Sequence, residues 1–411
     1  MDLEKRLHDA FRNYVANPGS LKPDLFRVPP KGVILDTRLG PIWMVETVYD
    51  SGYVHGNVEL DPGISCGPLK MLDSACRDDS FDLLKIGVID TETTGLAGGT
   101  GTYSFIIGIG FWKSGQFVVR QYILRDFCEE PAQLLAFASD LEGATTVLTY
   151  NGKSFDIPLL RTRFRINRLE IPFADHVHFD FIHPCRRLYK RHFDSLSLIE
   201  LEGNLLGFER SDDVPAHIIP RLYFDYLQNR DDNLLLPILN HNREDIVSLY
   251  LLVQETARRI SFALGHSCDD DAFLLSLGRI FYKSGDYGRA IELLSCIKTQ
   301  FAPQDITDEM LRLHGLASKK TGAWDAAEKT WKEMLNSRRF GCYPHTELAK
   351  HYEHRIKDLK SALKMTELAL RKMEFERELM SKGAPDNLIE TLLKRRKRLL
   401  GKIERQSAIV K

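Results

Sequence analysis

Between residues 85 and 123 the chain alternates apolar and other residues in a way that commits it to a sheet. Lys85-Ile-Gly-Val-Ile-Asp-Thr-Glu92 reads as one strand, Thr102-Tyr-Ser-Phe-Ile-Ile-Gly-Ile-Gly-Phe-Trp112 as a second and Gln116-Phe-Val-Val-Arg-Gln-Tyr-Ile-Leu124 as a third. Lys113-Ser114-Gly115 supplies the turn between the last two, so the three strands form an antiparallel meander. In the first strand Ile86, Val88, Asp90 and Glu92 share one face, which therefore passes from core to paired acid at the strand's end. Crowded carboxylates repel unless a cation sits between them, and hard divalent ions take oxygen ligands of this kind. The bland alternative is a solvated strand end.

Further along, a helix is expected near Pro131–Leu141, a strand at Thr145–Tyr150, a helix from about Asp156, a strand at His176–Ile182 and a long helix from about Leu239 to Phe262. Together they predict an α/β unit with a mixed sheet flanked by helices. Residues 1 to about 80 read as an extension of unclear fold, with a short strand pair around Pro41–Val54. Past Cys268 strand signals vanish. Gly285-Asp286-Tyr287-x-x-Ala290, Gly322-Ala323-Trp324-x-x-Ala327 and Asp358-Leu359-x-x-Ala362 recur at steps of 37 and 35 residues, each between amphipathic helices. These resemble tetratricopeptide helix pairs. The expected organisation is an extension over 1–80, a catalytic domain over 81–264 and helical repeats over 268–405.

Three strings carry the chemistry. Asp90-Thr91-Glu92-Thr93-Thr94-Gly95-Leu96 is similar to the first motif of the four-carboxylate exonucleases. Tyr150-Asn151-Gly152-Lys153-Ser154-Phe155-Asp156 looks like the element that supplies their third carboxylate, although an aspartate there could equally be a helix N-cap. His241-Asn242-Arg243-Glu244-Asp245 lies in the long helix, where His241 and Asp245, four apart, share a face. By this resemblance Asp90, Glu92, Asp156 and Asp245 hold two Mg²⁺ or Mn²⁺ ions, and His241 is the neighbour that activates water. The His-to-Asp offset departs from the family's histidine subgroup, which uses five; four belongs to its tyrosine subgroup. The segment His178–Tyr223, with Gly95–Trp112, is similar to the YprB-like family of predicted exonucleases, which have a ribonuclease H-like fold and often a C-terminal repeat domain.

The resemblance implies a metal-dependent 3′-to-5′ exonuclease acting on single-stranded DNA or RNA. A structure-specific endonuclease of the same fold and a non-catalytic repeat adaptor are the alternatives. Net charge is −1, so a polyanion would need local cations. Lys153, Arg161, Arg163, Arg165 and Arg168 flank the second motif, and Arg186, Arg187, Lys190 and Arg191 follow with no acid among residues 183–192. Thr93, Leu96, Asn151, Lys153, Arg161, Arg186, Arg187 and Lys190 are the expected nucleic-acid contacts. Tyr103, Phe105 and Leu96 would either stack on a base or join the core.

Other readings are weaker. Gly95–Thr102 lacks the lysine and following helix of a phosphate loop. Asp175, His176, His178, Asp180 and His183 could bind a separate zinc, or line a strand beside the site. The basic helix over Leu392–Arg405 reads as a solvated amphipathic face. Seven scattered cysteines without a C-x-x-C pair indicate reduced thiols, and the absence of a signal-like start or long apolar run points to a cytoplasmic protein without membrane contact. The repeats suggest a protein partner.

Overall fold

The computed structural model describes residues 32–73, 81–95, 101–211, 213–379 and 386–409. The chain divides into two units at Phe262/Ala263. In the first, a seven-stranded sheet has the order β1-β2-β7-β6-β5-β8-β9. Its strands are β1 (Val33–Thr37), β2 (Gly40–Asp50), β5 (Ile86–Thr93), β6 (Ser104–Lys113), β7 (Gln116–Ile123), β8 (Thr146–Thr149) and β9 (Val177–Asp180); β3 (Val54–His55) and β4 (Val58–Glu59) form a separate hairpin. β5, β8 and β9 run parallel, and every other pairing is antiparallel. Ser114 and Gly115 take φ of 51° and 81°, giving the β6–β7 hairpin the two left-handed turn residues that match strand twist.

The expected meander is β5–β6–β7. The segment over 1–80 contributes more than a strand pair, because β2 pairs with β7 from Trp43↔Ile123 to Asp50↔Gln116 and extends the same sheet. Its hairpin partner lies upstream of Pro41 rather than within Pro41–Val54. Thr37 Oγ1 donates to the Gly40 carbonyl at 2.8 Å, closing the turn there. Residues 1–31 and 74–80 lie outside the described residues.

Six helices flank the sheet: α1 (Glu130–Asp140), α2 (Asp156–Ile166), α3 (Ile182–Tyr189), α4 (Leu198–Leu201), α5 (Ile219–Asn229) and α6 (Leu236–Gly265). On one face Phe105 of β6 stacks on Tyr223 of α5, with ring centroids 4.0 Å apart, inside a core that includes Ile107, Ile109 and Phe137. On the other face β6 presents Gly108 and Gly110. A Cβ at Gly108 would stand 2.3 Å from Asn242 Oδ1 and 2.5 Å from Ile246 Cδ1. The missing side chains let α6 lie directly on the strand, which is what brings His241, Asn242 and Asp245 to the sheet.

The second unit is all helical: α7 (Asp271–Ser284), α8 (Tyr287–Ser295), α9 (Gln304–Thr321), α10 (Trp324–Met334), α11 (Tyr343–His351), α12 (Leu359–Leu379) and α13 (Asp386–Ile409). Gly285 and Gly322 end α7 and α9 at φ of 88° and 78°, and Lys357 before α12 has φ of 64°. Ala290, Ala327 and Ala362 are fully buried at equivalent places, so the sequence period marks repeated close helix contacts. No helix among the described residues is long and apolar enough to cross a membrane.

The Gly108 contact sets a test. Gly108→Ala should cost about 1–3 kcal/mol in urea unfolding through overpacking. Gly203→Ala, with open space around its Cβ, should be near neutral; equal stability of the two variants would refute the close approach of α6.

Candidate active site

β5 lies between β6 and β8, and its two edges are used to different lengths. Parallel pairing with β8 stops at Val88↔Leu148, whereas antiparallel pairing with β6 continues to Thr93↔Ser104. Beyond Val88 the β8 side is open, at the carboxyl ends of strands whose connections leave in opposite directions, the usual crevice of such sheets. Asp90 and Glu92 occupy this stretch and face α6.

Each acid is held separately. Asn242 Nδ2 donates to Asp90 Oδ2 at 2.7 Å, while Asn242 Oδ1 accepts from Gln121 Nε2 at 2.8 Å. Asp156 opens α2 and accepts from Thr91 Oγ1 at 2.5 Å, which ties its side chain to β5. The loop before it is fixed by Asp180, whose buried carboxylate accepts the N–H groups of Asn151 at 2.7 Å and Lys153 at 2.9 Å. That clamp holds Asn151 at φ 66°. Asp245, one turn beyond His241, lies with Oδ2 3.7 Å from His241 Nε2.

A group without an assigned role in the sequence reading organises this cluster. Arg210 lies in the segment after a π-type turn at Glu202–Leu206, and its side chain is 2% exposed. It forks onto Glu202, Nε to Oε2 at 2.7 Å and Nη2 to Oε1 at 2.5 Å, and Nη2 also bonds Asp245 Oδ1. Nη1 approaches Asp213 Oδ1 at 3.4 Å. Asp213 in turn accepts from His241 Nδ1 at 2.6 Å, leaving Nε2 aimed between Asp245 and Glu92, whose Oε1 is 4.0 Å away. With its Nδ1 proton committed to Asp213, the imidazole meets Arg210 Nη1, 3.3 Å off, as donor against donor and not as a hydrogen bond.

The electrostatics follow from burial and crowding. Burial, then Asp245, Glu92 and Asp156, hold Asp90 well above the usual carboxylate range. Burial pushes Glu92 up to about 8, with His241 opposing and Asp245 and Asp156 adding. Asp156 rises to about 6 by burial, against the hydrogen bond from Thr91. For His241 burial works downward, but the Asp213 hydrogen bond and the charges of Asp245 and Glu92 win and raise it to about 10. Burial raises Asp213, yet its bond to His241 and the nearby Arg210 leave it lowered.

This negative, oxygen-rich pocket fits the chemistry of hard divalent cations. Among the described residues no three such side chains stand as a ligand set; Asn242, Thr91 and Arg210 each bond one carboxylate. The His176–Asp180 run forms no metal site either: His178 Nε2 bonds Thr149 Oγ1 at 2.8 Å, and Asp180 is spent on the loop.

The expected nucleic-acid contacts lie on several elements of the first unit. Thr93 ends β5 with Oγ1 on the Gly95 carbonyl at 3.1 Å, Lys153 is exposed with Nζ 3.6 Å from Asp73, and Arg161 lies over the Phe173 ring at 5.8 Å. Arg186, Arg187 and Lys190 are exposed on and just after α3. Leu96 lies outside the described residues. Tyr103 and Phe105 take the core alternative, Tyr103 beneath Arg163 at 3.9 Å and Phe105 fully buried. Arg163 is no surface cation: it is buried on Glu130, with Nε 2.5 Å from Oε1. A cavity of about 900 Å³ lined by Arg38, Arg120, Asp140 and His176 includes none of the four carboxylates.

Residues 88–257 match the RNase H superfamily. The chain is also 32% identical over 332 residues to the uncharacterized protein YprB of Bacillus subtilis (strain 168), covering 79% of each. The chain belongs to the YprB-like family. Its first unit is thus an RNase H-like domain, a nuclease-type fold. Similarity to the family B DNA polymerase of the hyperthermophilic archaeon Pyrobaculum calidifontis is remote, at 12% identity and a TM-score of 0.34 over 68% of this chain and 36% of that one.

The His241–Asp213 pair gives this YprB-like site a measurable signature. A histidine raised above its unfolded value of 6.5 contributes stability fully below pH 6.5 and loses it as pH rises through about 10. Asp213, lowered from 3.8, contributes above that value and loses its share in acid. In chelator-treated protein the His241 imidazole should remain protonated at pH 8 by NMR, and Asp213→Asn should bring its titration down. A midpoint near 6.5 in the parent would contradict the pairing.

Proposed function

We propose that this protein is a metal-dependent 3′-to-5′ exonuclease that hydrolyses phosphodiester bonds of single-stranded DNA or RNA. The observation that carries this reading is the meeting of Asp90, Glu92, Asp156 and Asp245 with His241 at the open end of β5. Two Mg²⁺ or Mn²⁺ ions, when bound, would acidify the attacking water and stabilise the leaving oxygen. Asp90, Glu92 and Asp245 would hold the ion that serves the attacking water, and Asp90 and Asp156 the second, Asp156 directly or through water. Asn242 reaches one Asp90 oxygen, and the Thr91 hydroxyl reaches one oxygen of Asp156.

His241 Nε2 faces the space between Glu92 and Asp245, where it would orient the attacking water. His241 would act as the base, Nε2 taking a proton from that water when bound cations offset the charges of Asp245 and Glu92. Lys153, Arg161, Arg186, Arg187 and Lys190 bind the substrate backbone, and Thr93, Leu96 and Asn151 contact its terminal nucleotide. The C-terminal helices act as tetratricopeptide-like repeats that bind a partner or longer substrate. The intact acid set favours an enzyme over an adaptor, and the exonuclease-type motifs favour end-directed over internal cleavage.

The test uses end-labelled DNA and RNA oligonucleotides with Mn²⁺ or excess chelator. Asp90→Asn and Asp156→Asn should abolish most activity, and His241→Ala should lower it about 10²-fold, with Asp245→Asn worse because a ligand is lost. Cleavage that persists in chelator would sink the two-metal account.

A further inference from the structure

The helical unit contains a small cavity of about 260 Å³ that the function above does not use, lined by Lys319, Trp324, Trp331, Lys350, Arg355 and Arg395, with Glu347 and two histidines completing it. Two features set it apart from an ordinary surface dimple. The first is a stacked wall. Arg355 Cζ lies 4.3 Å over the Trp324 ring, and His351 stacks at 5.9 Å with an interplanar angle of 23°. A planar cation layered on an indole is a platform for a nucleobase, and its N–H groups suit a phosphate.

The second is an excess of cations over the acids that anchor them. Glu347, nearly buried, takes Lys319 and Lys350, each at 2.6 Å. Glu353, fully buried, takes Arg395 at 2.8 Å, Arg398 at 2.8 Å and Lys402 at 2.9 Å. Two carboxylates thus gather five cations, and Arg355 beside them has an indole rather than an acid for its neighbour. The basic face of α13 is therefore not simply solvated, because Arg395, Arg398 and Lys402 converge inward on Glu353. Surplus positive charge fixed at a cavity with an aromatic wall calls for an anion with a flat ring.

We propose that this cavity binds one nucleotide unit of single-stranded nucleic acid, its base on the Trp324–Arg355 wall and its phosphate on Lys319, Lys350 and Arg395. The choice of ligand rests on the nuclease reading; the cavity's chemistry does not. The helical unit would then grip the same class of molecule that the sheet unit cuts.

Binding is measured on the full chain in excess chelator, by anisotropy of a fluorescein-labelled 12-residue oligothymidylate, so that no cleavage is needed. Trp324→Leu and Arg355→Gln should each weaken binding about tenfold, and Lys350→Gln should flatten its salt dependence. Lys397→Gln, an exposed cation of α13 outside the cavity, should leave both unchanged. Hydrolysis of the mononucleotide ester thymidine 5′-(p-nitrophenyl phosphate) with Mn²⁺ is followed in the same variants and should match the parent, excluding general misfolding. If the parent hydrolyses neither ester nor oligonucleotide, the nuclease reading fails while the binding arm still decides the cavity. Unchanged oligonucleotide affinity in folded Trp324→Leu and Arg355→Gln overturns the proposal, as does binding of oligoglutamate in preference to oligothymidylate.

Discussion

Negative charge confined at the end of β5 is the constraint to which the surrounding structure answers. Asp90, Glu92, Asp156 and Asp245 sit where solvent is largely excluded, and each raises the cost of ionising its neighbours. A fold tolerates this only by supplying fixed donors. Asn242, Thr91 and Arg210 do so from three different elements, each to a different acid. Arg210 is the most exacting of them. Its guanidinium is buried against Glu202, so removing it would strand a buried carboxylate, a defect of about 3–5 kcal/mol. The site and the stability of the domain are thus bound to the same side chain.

Arg210 needs its own support, and the segment that precedes β5 provides it. The β3–β4 hairpin packs on the turn that carries Glu202. Asn57 N–H donates to the Leu206 carbonyl at 2.6 Å, and Gly56 and Gly207, both at left-handed φ, allow that approach. His55 stacks on Phe208 at 3.7 Å and bonds Ser248 of α6 at 2.8 Å. Burial and the cations Arg210 and Arg243 push His55 down to about 4, so it stays neutral and adds no charge to a region already crowded with it. The hairpin braces the Arg210 segment against the helix that carries His241 and Asp245.

What the sequence disclosed tracks the range of the interactions involved. Asp90 with Glu92, and His241 with Asp245, are paired by the periods of strand and helix, so spacing alone places each pair on one face. The meander and the Ala-centred helix pairs are legible for the same reason. Arg210 and Asp213 carry no such signal: Glu-Arg-Ser-Asp-Asp reads as an exposed charged turn, and nothing local says that it folds onto α6. Glu202 looks like a surface acid for the same reason. β2 has strand character, but its partner β7 is more than sixty residues away, and only long-range pairing makes it part of the sheet. Arg163 shows the converse error, where a cation among cations suggested a substrate contact and Glu130 had claimed it.

The unusual offset of His241 becomes intelligible through Asp213. A histidine one turn before Asp245 must reach into the site with one nitrogen and be steadied through the other, and Asp213 meets the second need at 2.6 Å. Without that anchor the ring could swing away from Glu92 and Asp245, and its position in the helix would not define a working direction. A tyrosine at this place would need no such partner, since its hydroxyl sits on the ring axis and points wherever the ring does. It would also leave Asp213 beside Arg210 with no imidazole to bind. On the proposed exonuclease reading the pair, and not His241 alone, would stand in for the tyrosine at this spacing, and the loop carrying Arg210 and Asp213 is tied to the cluster as closely as the strand that bears its first two acids.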